Sequence, residues 1–310
     1  MKKIIAALLL LFSVLSYADQ PIEIIVPFSP GGATDVFARA AQKYLITHLT
    51  NPDIFVMNKP GADGRIGARY ALQKPADGSS IVVVSTGTFL YAKVLYNDLG
   101  YDYSDFDIIA PITTSPASLI VSNKSGVNTL DEFISLSKRK KLNCGSSSPA
   151  STFVGQYLIS KLKLQNIEIV SYKGSNQVLM DLIGGHLDCA IEPVAIYIPA
   201  IKANSIKVIA TASEHHPSNL PGVPLFKESV PGFVFSNWYG MGILKTTPDA
   251  KKARILDELR RMVNDPEFIR DIAVTNLELI QPKSSAQEFI ENEYIKMTAI
   301  GQSLNIKKTD

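Results

Sequence analysis

The sequence predicts an α/β protein with two lobes. Short apolar segments of strand length alternate along the chain with segments whose apolar residues recur at helical spacing. Strands that alternate with helices in this way favour mainly parallel sheets covered by helices on both faces. The chain has 310 residues, of which 46% are hydrophobic, and this is enough apolar material for about two globular domains.

The apolar segments set the predicted order of elements. Strands are expected at residues 22–26, 54–57, 81–84, 119–122, 142–144, 167–171, 187–191, 206–211 and 238–244. Helices are expected at residues 34–49, 66–73, 130–139, 153–162, 176–183, 193–202 and 251–263, followed by two that begin at Pro266 and Ser285. Two polar interruptions, at 122–126 and at 214–231, are candidate hinges. They predict one lobe formed by residues 19–121 plus 237–310 and a second lobe formed by residues 122–236.

Residues 1–18 have the pattern of a secretory signal peptide. Lys2 and Lys3 precede an apolar run at 4–15, and small residues surround a cleavage site after Ala18. A membrane anchor is the alternative, but a helix formed by that run would rise only about 18 Å, against about 30 Å for the hydrocarbon core of a bilayer. The sequence therefore predicts export to the periplasm, with cleavage near Ala18.

The charge of the predicted mature chain is balanced. Loss of Lys2 and Lys3 leaves 29 basic residues beside 29 acidic ones. Without a basic patch, the chain has no electrostatic basis for binding nucleic acid or anionic lipid. Cys144 and Cys189 show no spacing signature and both flank apolar segments, so two buried thiols on neighbouring strands are favoured over a disulfide.

A glycine-rich segment at 27–35, Pro-Phe-Ser-Pro-Gly-Gly-Ala-Thr-Asp, joins the first predicted strand to the first predicted helix. Gly31 and Gly32 let backbone N–H groups approach a ligand with no Cβ in the way. The helix start adds unpaired N–H groups and the positive end of the helix dipole, which suit a carboxylate. From the residue types alone, a turn that needs glycine only for its backbone angles is an equal alternative. The segment lacks the Gly-Lys-Ser/Thr of a nucleotide phosphate loop.

With several further motifs, this segment resembles the Bug family, the periplasmic receptors associated with tripartite tricarboxylate transporters. The motifs that follow in the family's order and spacing are Asn58-Lys59-Pro60-Gly61-Ala62, Gly64-Arg65-Ile66-Gly67-Ala68, Pro75-Ala76-Asp77-Gly78, Lys141-Leu142-Asn143, Tyr172-Lys173-Gly174, Asp181-Leu182-Ile183-Gly184-Gly185 and Trp238-Tyr239-Gly240. The resemblance covers essentially the whole mature chain. It implies a type II periplasmic-binding-protein fold, in which two α/β lobes joined by two crossing segments close like a hinge on a ligand in the cleft between them.

The resemblance also implies that a carboxylate is held between two loops, one on each lobe, partly through ordered water. By motif, the first loop supplies Phe28, Gly31, Gly32, Ala33 and Asp35. The second loop, at 146–152, precedes the helix expected near residue 153 and supplies Ser146, Ser147, Ser148, Ser151 and Thr152. Pro149 and Ala150 stand where the family usually has Asn and Gly, and Pro149 removes one backbone donor. A polar loop satisfied by water is the alternative for this segment.

Three further segments are expected to line the cleft. The first follows a predicted strand and supplies three hydroxyl residues, Ser85, Thr86 and Thr88. An ordinary helix N-cap, which needs only one such residue, is the alternative. Lys173 offers a cation to an anionic ligand, with a solvated turn lysine as the alternative. Glu192 could bind an ammonium or hydroxyl group of the ligand but would repel a nearby carboxylate, and it could equally lie beside a helix N-cap. Asp35 could likewise serve only the helix start.

The sequence and the resemblance together predict a monomeric periplasmic solute-binding receptor without a cofactor or a metal site. Its expected ligand is a small carboxylate, such as a di- or tricarboxylate, and its expected partners are the membrane subunits of a tripartite tricarboxylate-type transporter. The alternative is a ligand sensor that contacts the ectodomain of a two-component kinase. A hydrolase is a remote alternative, because the four histidines lack metal-ligand spacing and the serines lack a Gly-x-Ser-x-Gly elbow. No nucleic-acid partner is expected.

Overall fold

Within residues 20–49, 53–217, 219–280 and 285–309, which the computed structural model describes, ten strands and eleven α-helices alternate. The strands are β1 (Ile22–Val26), β2 (Ile54–Asn58), β3 (Ser80–Ser85), β4 (Phe106–Ser122), β5 (Leu142–Ser146), β6 (Ile167–Ser171), β7 (Cys189–Pro193), β8 (Ile206–Thr211), β9 (Ser236–Leu244) and β10 (Glu278–Leu279). The helices are α1 (Ala33–His48), α2 (Arg65–Leu72), α3 (Ala92–Leu95), α4 (Leu130–Arg139), α5 (Pro149–Leu162), α6 (Ser175–Gly184), α7 (Ile198–Lys202), α8 (Phe226–Ser229), α9 (Asp249–Met262), α10 (Pro266–Ala273) and α11 (Ala286–Ser303). The predicted signal peptide, residues 1–18, lies outside the described residues.

Every predicted strand and helix has a counterpart, and β4 is much longer than the pattern indicates. It runs over 17 residues, of which only 119–122 fit a predicted strand. Its first part contains Pro111 and Pro116, and prolines are rare inside strands, so the sequence pattern there does not favour a strand. The helix predicted at 193–202 is divided, because Pro193 ends β7 and a 3₁₀ turn at Ala195–Tyr197 precedes α7.

The strands form one mixed sheet in the order β2-β1-β3-β9-β4-β7-β5-β6, with β8 and β10 also paired to β4. Pairing is parallel between β1 and β2, β1 and β3, β5 and β6, and β5 and β7. All pairs that involve β4 or β9 are antiparallel. The expectation of mainly parallel sheets is therefore wrong for the middle of the sheet, because the two strands that connect its parallel ends run opposite to their neighbours.

Strand β4 belongs to both halves of the sheet. Its residues 106–116 pair with β9, whereas its residues 117–122 pair with β7 and β8. Each half has its own apolar clusters, with Phe37 and Leu259 in the first half and Phe133 and Phe153 in the second. The sheet thus has two packed halves joined by β4 and β9. The lobe boundaries at 121/122 and 236/237 remain a prediction.

Strand β1 shows why the first loop is rigidly placed. Ile24 and Val26 pack into a cluster on one face of the sheet, and Ile25 packs into a cluster on the other face. All five residues of β1 are buried, as expected for a strand covered by helices on both sides. The loop that follows β1 therefore starts from a fixed position at the end of a central strand.

Cys144 on β5 and Cys189 on β7 form a disulfide. The parallel register places the two residues directly opposite each other, with their Cα atoms 4.4 Å apart. The prediction that both lie buried on neighbouring strands is confirmed, and the prediction of two unpaired thiols is wrong. The separation of 45 residues carries no pairing signal in the sequence, since only the register of β5 against β7 brings the two sulfur atoms together.

Loss of this disulfide is expected to lower the free energy of unfolding by about 3–4 kcal/mol, because the bond closes a long loop in the unfolded chain. The measurement is urea denaturation of the wild-type protein with and without reductant, beside the C144A/C189A double variant. Reductant should move the wild-type midpoint to that of the double variant and leave the variant unchanged. A wild-type midpoint that does not respond, in a protein whose thiols react with a thiol reagent, would show that the bond is absent.

Candidate functional site

The first loop, residues 27–35, connects β1 to α1 and is shaped by its two glycines. Gly31 has a φ of 81°, a left-handed conformation that glycine adopts without strain. Gly32 is the N-cap of α1, with a φ of −80° and a ψ of 169°, and no side chain caps the helix. The first N–H groups of a helix have no acceptor within it, so the amides of Ala33 and Thr34 can donate to a ligand at the positive end of α1.

Asp35 holds the first loop from behind. Its carboxylate accepts hydrogen bonds from the Gly31 amide, Arg39 Nε and Asn58 Nδ2, each at 2.9 Å, and only 2% of the residue is exposed. Burial alone would raise its pKa, but the hydrogen bonds from Arg39, Gly31 and Asn58 hold the pKa of Asp35 below its usual value. Asp35 therefore fixes the shape of the loop that carries Gly31 and Gly32.

Because the pKa of Asp35 is lowered in the folded state, its carboxylate should stabilise the protein at neutral pH. This contribution is complete above the ordinary pKa of 3.8 and is lost as the pH falls through the lower folded-state pKa. The stabilities of the wild-type protein and of Asp35→Asn are to be measured by thermal unfolding from about pH 7 to about pH 2.5. At neutral pH the wild-type protein should be about 2 kcal/mol more stable than Asp35→Asn, because its three hydrogen-bond donors keep a charged acceptor. This difference in the free energy of unfolding should shrink only at the acidic end of the range. An advantage that is constant over the whole range would contradict this role of the charge.

The second loop, residues 146–152, connects β5 to α5 and forms its own hydrogen-bond network. Ser148 is the N-cap of α5, and its Oγ accepts from the Ser151 amide at 3.2 Å. Ser146 Oγ lies 2.8 Å from Thr152 Oγ1. Helix α5 begins at Pro149, four residues before the predicted start at 153. Proline fits this position because the first N–H of a helix has no intrahelical partner, so Pro149 starts the helix and leaves the loop intact.

Glu192, near the end of β7, is fully buried against the second loop. Its Oε1 accepts from the Ser147 amide at 2.7 Å, and its Oε2 accepts from Ser147 Oγ at 2.6 Å. Ser147 Oγ is also 2.8 Å from Ser175 Oγ, at the start of α6. Burial raises the pKa of Glu192, although hydrogen bonds from Ser147, Ser151 and Ser175 act in the opposite direction. A carboxyl group of the protein itself thus occupies two donors of the second loop.

The first loop touches the segment that carries Lys173, far away in the sequence. Ser29 Oγ donates a hydrogen bond to the Lys173 carbonyl at 3.3 Å, across 144 positions. Between the first and second loops lies an inner cavity of about 20 Å³, lined by Phe28, Gly32, Ala33, Thr34, Ser85, Gly87, Ser147, Ser148, Gly174, Ser175, Pro193, Asn237 and Tyr239. This volume is comparable to that of one water molecule, so the two loops must separate before a metabolite can enter.

An outer cavity of about 260 Å³ adjoins the inner one. Its lining consists of Phe28, Gly61, Ala62, Asp63, Gly64, Ser147, Ser171, Tyr172 and Lys173. Phe28 and Ser147 belong to both linings. Asp63 and Lys173 are the charged residues of the outer wall, and Asp63 accepts a hydrogen bond from Tyr96 Oη. Lys173 is therefore the cation that an anionic group in the outer cavity would meet.

The structure brings seven of the predicted site residues to the two cavities and places eight behind them. The seven that line a cavity are Phe28, Gly32, Ala33, Ser85, Ser147, Ser148 and Lys173. The eight behind the linings are Gly31, Asp35, Thr86, Thr88, Ser146, Ser151, Thr152 and Glu192. Some of these hold lining segments in place: Thr86 Oγ1 accepts from the Trp238 amide at 2.8 Å, which ties the end of β3 to β9.

Two residues on β9, Asn237 and Tyr239, line the inner cavity although the sequence does not predict them as site residues. Side chains alternate along a strand, so Trp238 between them points to the opposite face, where it packs on Phe289 in the core. This alternation is the signal that could identify them. In the described ranges no hydrogen bond engages either side chain, and burial raises the pKa of Tyr239, so its hydroxyl stays a donor. Five further residues of the inner lining belong to segments that are expected to form the first loop or line the cleft, but they are not among the individually predicted site residues; they are Thr34, Gly87, Gly174, Ser175 and Pro193.

A larger cavity, of about 580 Å³, lies away from the cleft between the start of β4, α9 and α11. Phe106, Leu256 and Ile290 are among its lining residues, and none of the predicted site residues belongs to it. The cleft is the candidate site because the glycine-rich and serine-rich loops, which come from different halves of the sheet, converge there. Among the described residues, no three His, Cys, Asp or Glu side chains lie close enough together to hold a metal ion.

Comparisons with known proteins agree with this architecture. Residues 37–306 match the family described as "Tripartite tricarboxylate transporter family receptor". A UPF0065 protein from the tcbD-tcbE intergenic region of Pseudomonas sp. (strain P51) is 30% identical over 269 residues, which cover 82% of this chain and 77% of that protein. The family match spans most of the chain and includes strands of both halves of the sheet, whereas β1 and the first loop precede it.

Two solved structures are also similar. The periplasmic binding protein BugD has a TM-score of 0.87 at 25% identity, covering 94% of this chain and 100% of that chain. An R. palustris protein solved with adipate has a TM-score of 0.88 at 22% identity, covering 95% of this chain and 100% of that chain. These similarities confirm the predicted two-lobed periplasmic-binding-protein fold and the resemblance to the Bug family. The chain belongs to the tripartite tricarboxylate transporter receptor family.

Proposed function

We propose that this chain is a periplasmic receptor that closes on a small carboxylate, such as a di- or tricarboxylate, and delivers it to the membrane subunits of a tripartite tricarboxylate-type transporter. The observation that carries the proposal is the convergence of the first and second loops on one polar cavity. Adipate, the compound solved with the R. palustris relative, is itself a dicarboxylate and supports this ligand class. Export after loss of residues 1–18, a monomeric state and the division into two lobes belong to the same proposal.

Within the described ranges, no helix is both long enough and apolar enough to cross a membrane. Delivery to a transporter depends on the surface of the closed receptor. Closure of the two loops is the event that membrane subunits could detect.

The number of donors in the cleft is sufficient for useful affinity. A micromolar dissociation constant corresponds to about −8 kcal/mol, and a charge-assisted hydrogen bond contributes about 1.5–3 kcal/mol, so about four to six donors are needed. The start of α1 offers the amides of Ala33 and Thr34, β9 offers Asn237 and Tyr239, and Lys173 adds a cation from the outer wall. Because Lys173 and α1 lie on different halves of the sheet, ligand binding and closure are coupled.

A thermal-shift screen tests the proposal. The panel contains mono-, di- and tricarboxylates and acidic amino acids, with sugars and short peptides as controls. A ligand at about a hundredfold excess over its dissociation constant stabilises the folded state by about 2.7 kcal/mol, so the unfolding temperature should rise by several degrees for at least one acid. Shifts from sugars or peptides, with none from any acid, would reject the carboxylate assignment.

A further inference from the structure

Ser147 and Ser175 form a pair of hydroxyl groups in the wall of the inner cavity, and buried Glu192 lies behind them. Both serines line the cavity, and their Oγ atoms are 2.8 Å apart. Ser147 donates its amide and its hydroxyl to the two carboxyl oxygens of Glu192, at 2.7 and 2.6 Å. The three residues therefore form a short hydrogen-bonded chain that leads from the protein interior to the cavity.

The number of hydrogen atoms determines the direction of this chain. An ionised carboxylate only accepts hydrogen bonds, and a serine hydroxyl has one hydrogen. When Glu192 is ionised, the Ser147 hydrogen points to Glu192, so the Ser175 hydrogen points either to Ser147 Oγ or to the Glu192 carboxylate. Both serine hydrogens are then used within the protein, and the two oxygens present only lone pairs to the cavity. This wall accepts hydrogen bonds and would repel a carboxylate.

The opposite wall has the reverse character. Gly32, Ala33 and Thr34, at the start of α1, line the same cavity and offer N–H donors at the positive end of the helix. A ligand carboxylate is therefore favoured on the side of α1. The small cavity volume shows that the two walls approach closely when the loops meet. A group on the carbon atom next to this carboxylate is the one best placed to reach the serine wall, and it would have to donate a hydrogen bond there.

We propose that Glu192, acting through Ser147 and Ser175, selects carboxylic acids that carry a hydroxyl or an ammonium group on the carbon next to the carboxylate. Glu192 is a positioning residue, since it is fully buried and lines neither cavity. The inference rests on the proposed function and specifies its ligand class: 2-hydroxy and 2-amino acids are bound in preference to unsubstituted acids.

A purely structural role would not require a charge at this position. A glutamine would accept from the Ser147 amide with its oxygen and donate to Ser147 Oγ with its nitrogen, which would free the Ser147 hydrogen to point into the cavity. The hydroxyl groups of Tyr197 and Tyr239 also face Glu192. Burial raises the pKa of both tyrosines above its usual value. Both tyrosines therefore stay neutral at physiological pH. Protonation of Glu192 at acidic pH is then the one change among these three groups that lets the serine wall donate hydrogen bonds as well as accept them. Burial raises the pKa of Glu192 as well, which brings this change closer to neutral pH.

Isothermal titration calorimetry of the purified protein with matched ligands tests the inference. Lactate is compared with propionate and malate with succinate, and alanine and aspartate serve as the members that carry an ammonium group. In the wild-type protein, at least one kind of substituted acid should bind about tenfold more tightly than its parent, because one hydrogen bond separates them. In Glu192→Gln this ratio should fall toward one. Glu23→Gln is the matched control: Glu23 is buried but pairs with Tyr70 and Lys74 and lines neither cavity, so the ratio should not change.

The possible results separate this inference from the proposed function. Equal affinities for parent and substituted acids in the wild-type protein would overturn the inference and leave the carboxylate receptor intact, as would an unchanged ratio in Glu192→Gln. If no acid binds, the proposed function and the inference fail together. Should Glu192→Gln not fold, the wild-type protein still provides a test, because the ratio should fall as the pH is lowered from neutral to the acid limit of the folded state and Glu192 takes up a proton. A ratio that stays constant down to that limit would overturn the inference.

Discussion

Replacing Gly32 with proline is expected to weaken carboxylate binding about a hundredfold and to leave the fold intact. Gly32 has a φ of −80°, within the range that proline adopts, so the backbone accepts the ring. The substitution removes the Gly32 amide hydrogen and places ring carbons in the wall of the inner cavity. A charge-assisted hydrogen bond and the close approach of the two loops are then lost together. Calorimetry with the acid that gives the largest thermal shift measures the effect.

Gly32→Ala is the matched control for this experiment. It keeps the amide hydrogen, and its Cβ would lie 3.7 Å from the Ser29 carbonyl oxygen, which is an ordinary contact. The alanine variant should bind with an affinity close to that of the wild-type protein, and both variants should unfold near the wild-type temperature. If the proline and alanine variants bind equally well, the start of α1 is not where the carboxylate is held.

Replacing Gly240 with alanine should destabilise the protein by about 3 kcal/mol or prevent folding. Gly240 lies on β9, where a Cβ would come within 2.4 Å of the Ile109 carbonyl oxygen and 2.7 Å of Ala110 Cβ. The first of these is a backbone atom, so a rotamer change cannot relieve the contact. The register of β4 against β9 shifts here, between Ile109 and Thr113. Urea denaturation gives the loss in free energy.

The reference for Gly240→Ala is again Gly32→Ala, since both add one methyl group at a glycine but only one of them meets a backbone atom at short range. The Gly32 variant should retain nearly the whole free energy of unfolding. Equal stabilities of the two variants would mean that β4 and β9 can move apart at Gly240 at no cost, which would contradict their close packing there.

Much of the cleft could be predicted from the sequence because its loops directly follow strands. The apolar segment 22–26 is a strand in the structure, and the glycine-rich residues after it form a loop whose Gly31 has the positive φ that only glycine adopts readily. The serine-rich residues 146–152 likewise follow β5 and open α5. These local patterns do not depend on which strands are neighbours, and for that reason they identify both loops.

The features that depend on register and on three-dimensional proximity could not be predicted. Cys144 and Cys189 pair only because β5 and β7 align them, and nothing in the chain between them indicates this alignment. Ser147 is identified as a loop donor, but its amide and hydroxyl are used by Glu192, a residue 45 positions further along the chain. Asn237 is missed because the side that a strand turns to a cleft depends on the neighbouring strands.

The same limit explains the middle of the sheet. The prolines at 111 and 116 make the first part of β4 unlike a strand in sequence, yet β9 and β7 together provide partners along nearly its whole length. Tertiary pairing thus outweighs local preference in the one strand that both halves share. The prediction of parallel pairing fails at the same strand, because the alternation of strands and helices says nothing about the direction of a strand that crosses between halves.

A crystal structure of the protein with the acid that gives the largest thermal shift tests the central claim most directly. We expect a carboxylate oxygen within about 3.2 Å of the amide nitrogen of Ala33 or Thr34, with the second loop closed over the ligand. An acid bound in the cavity beside α9 and α11, with residues 27–35 making no contact to it, would show that the start of α1 does not hold the carboxylate.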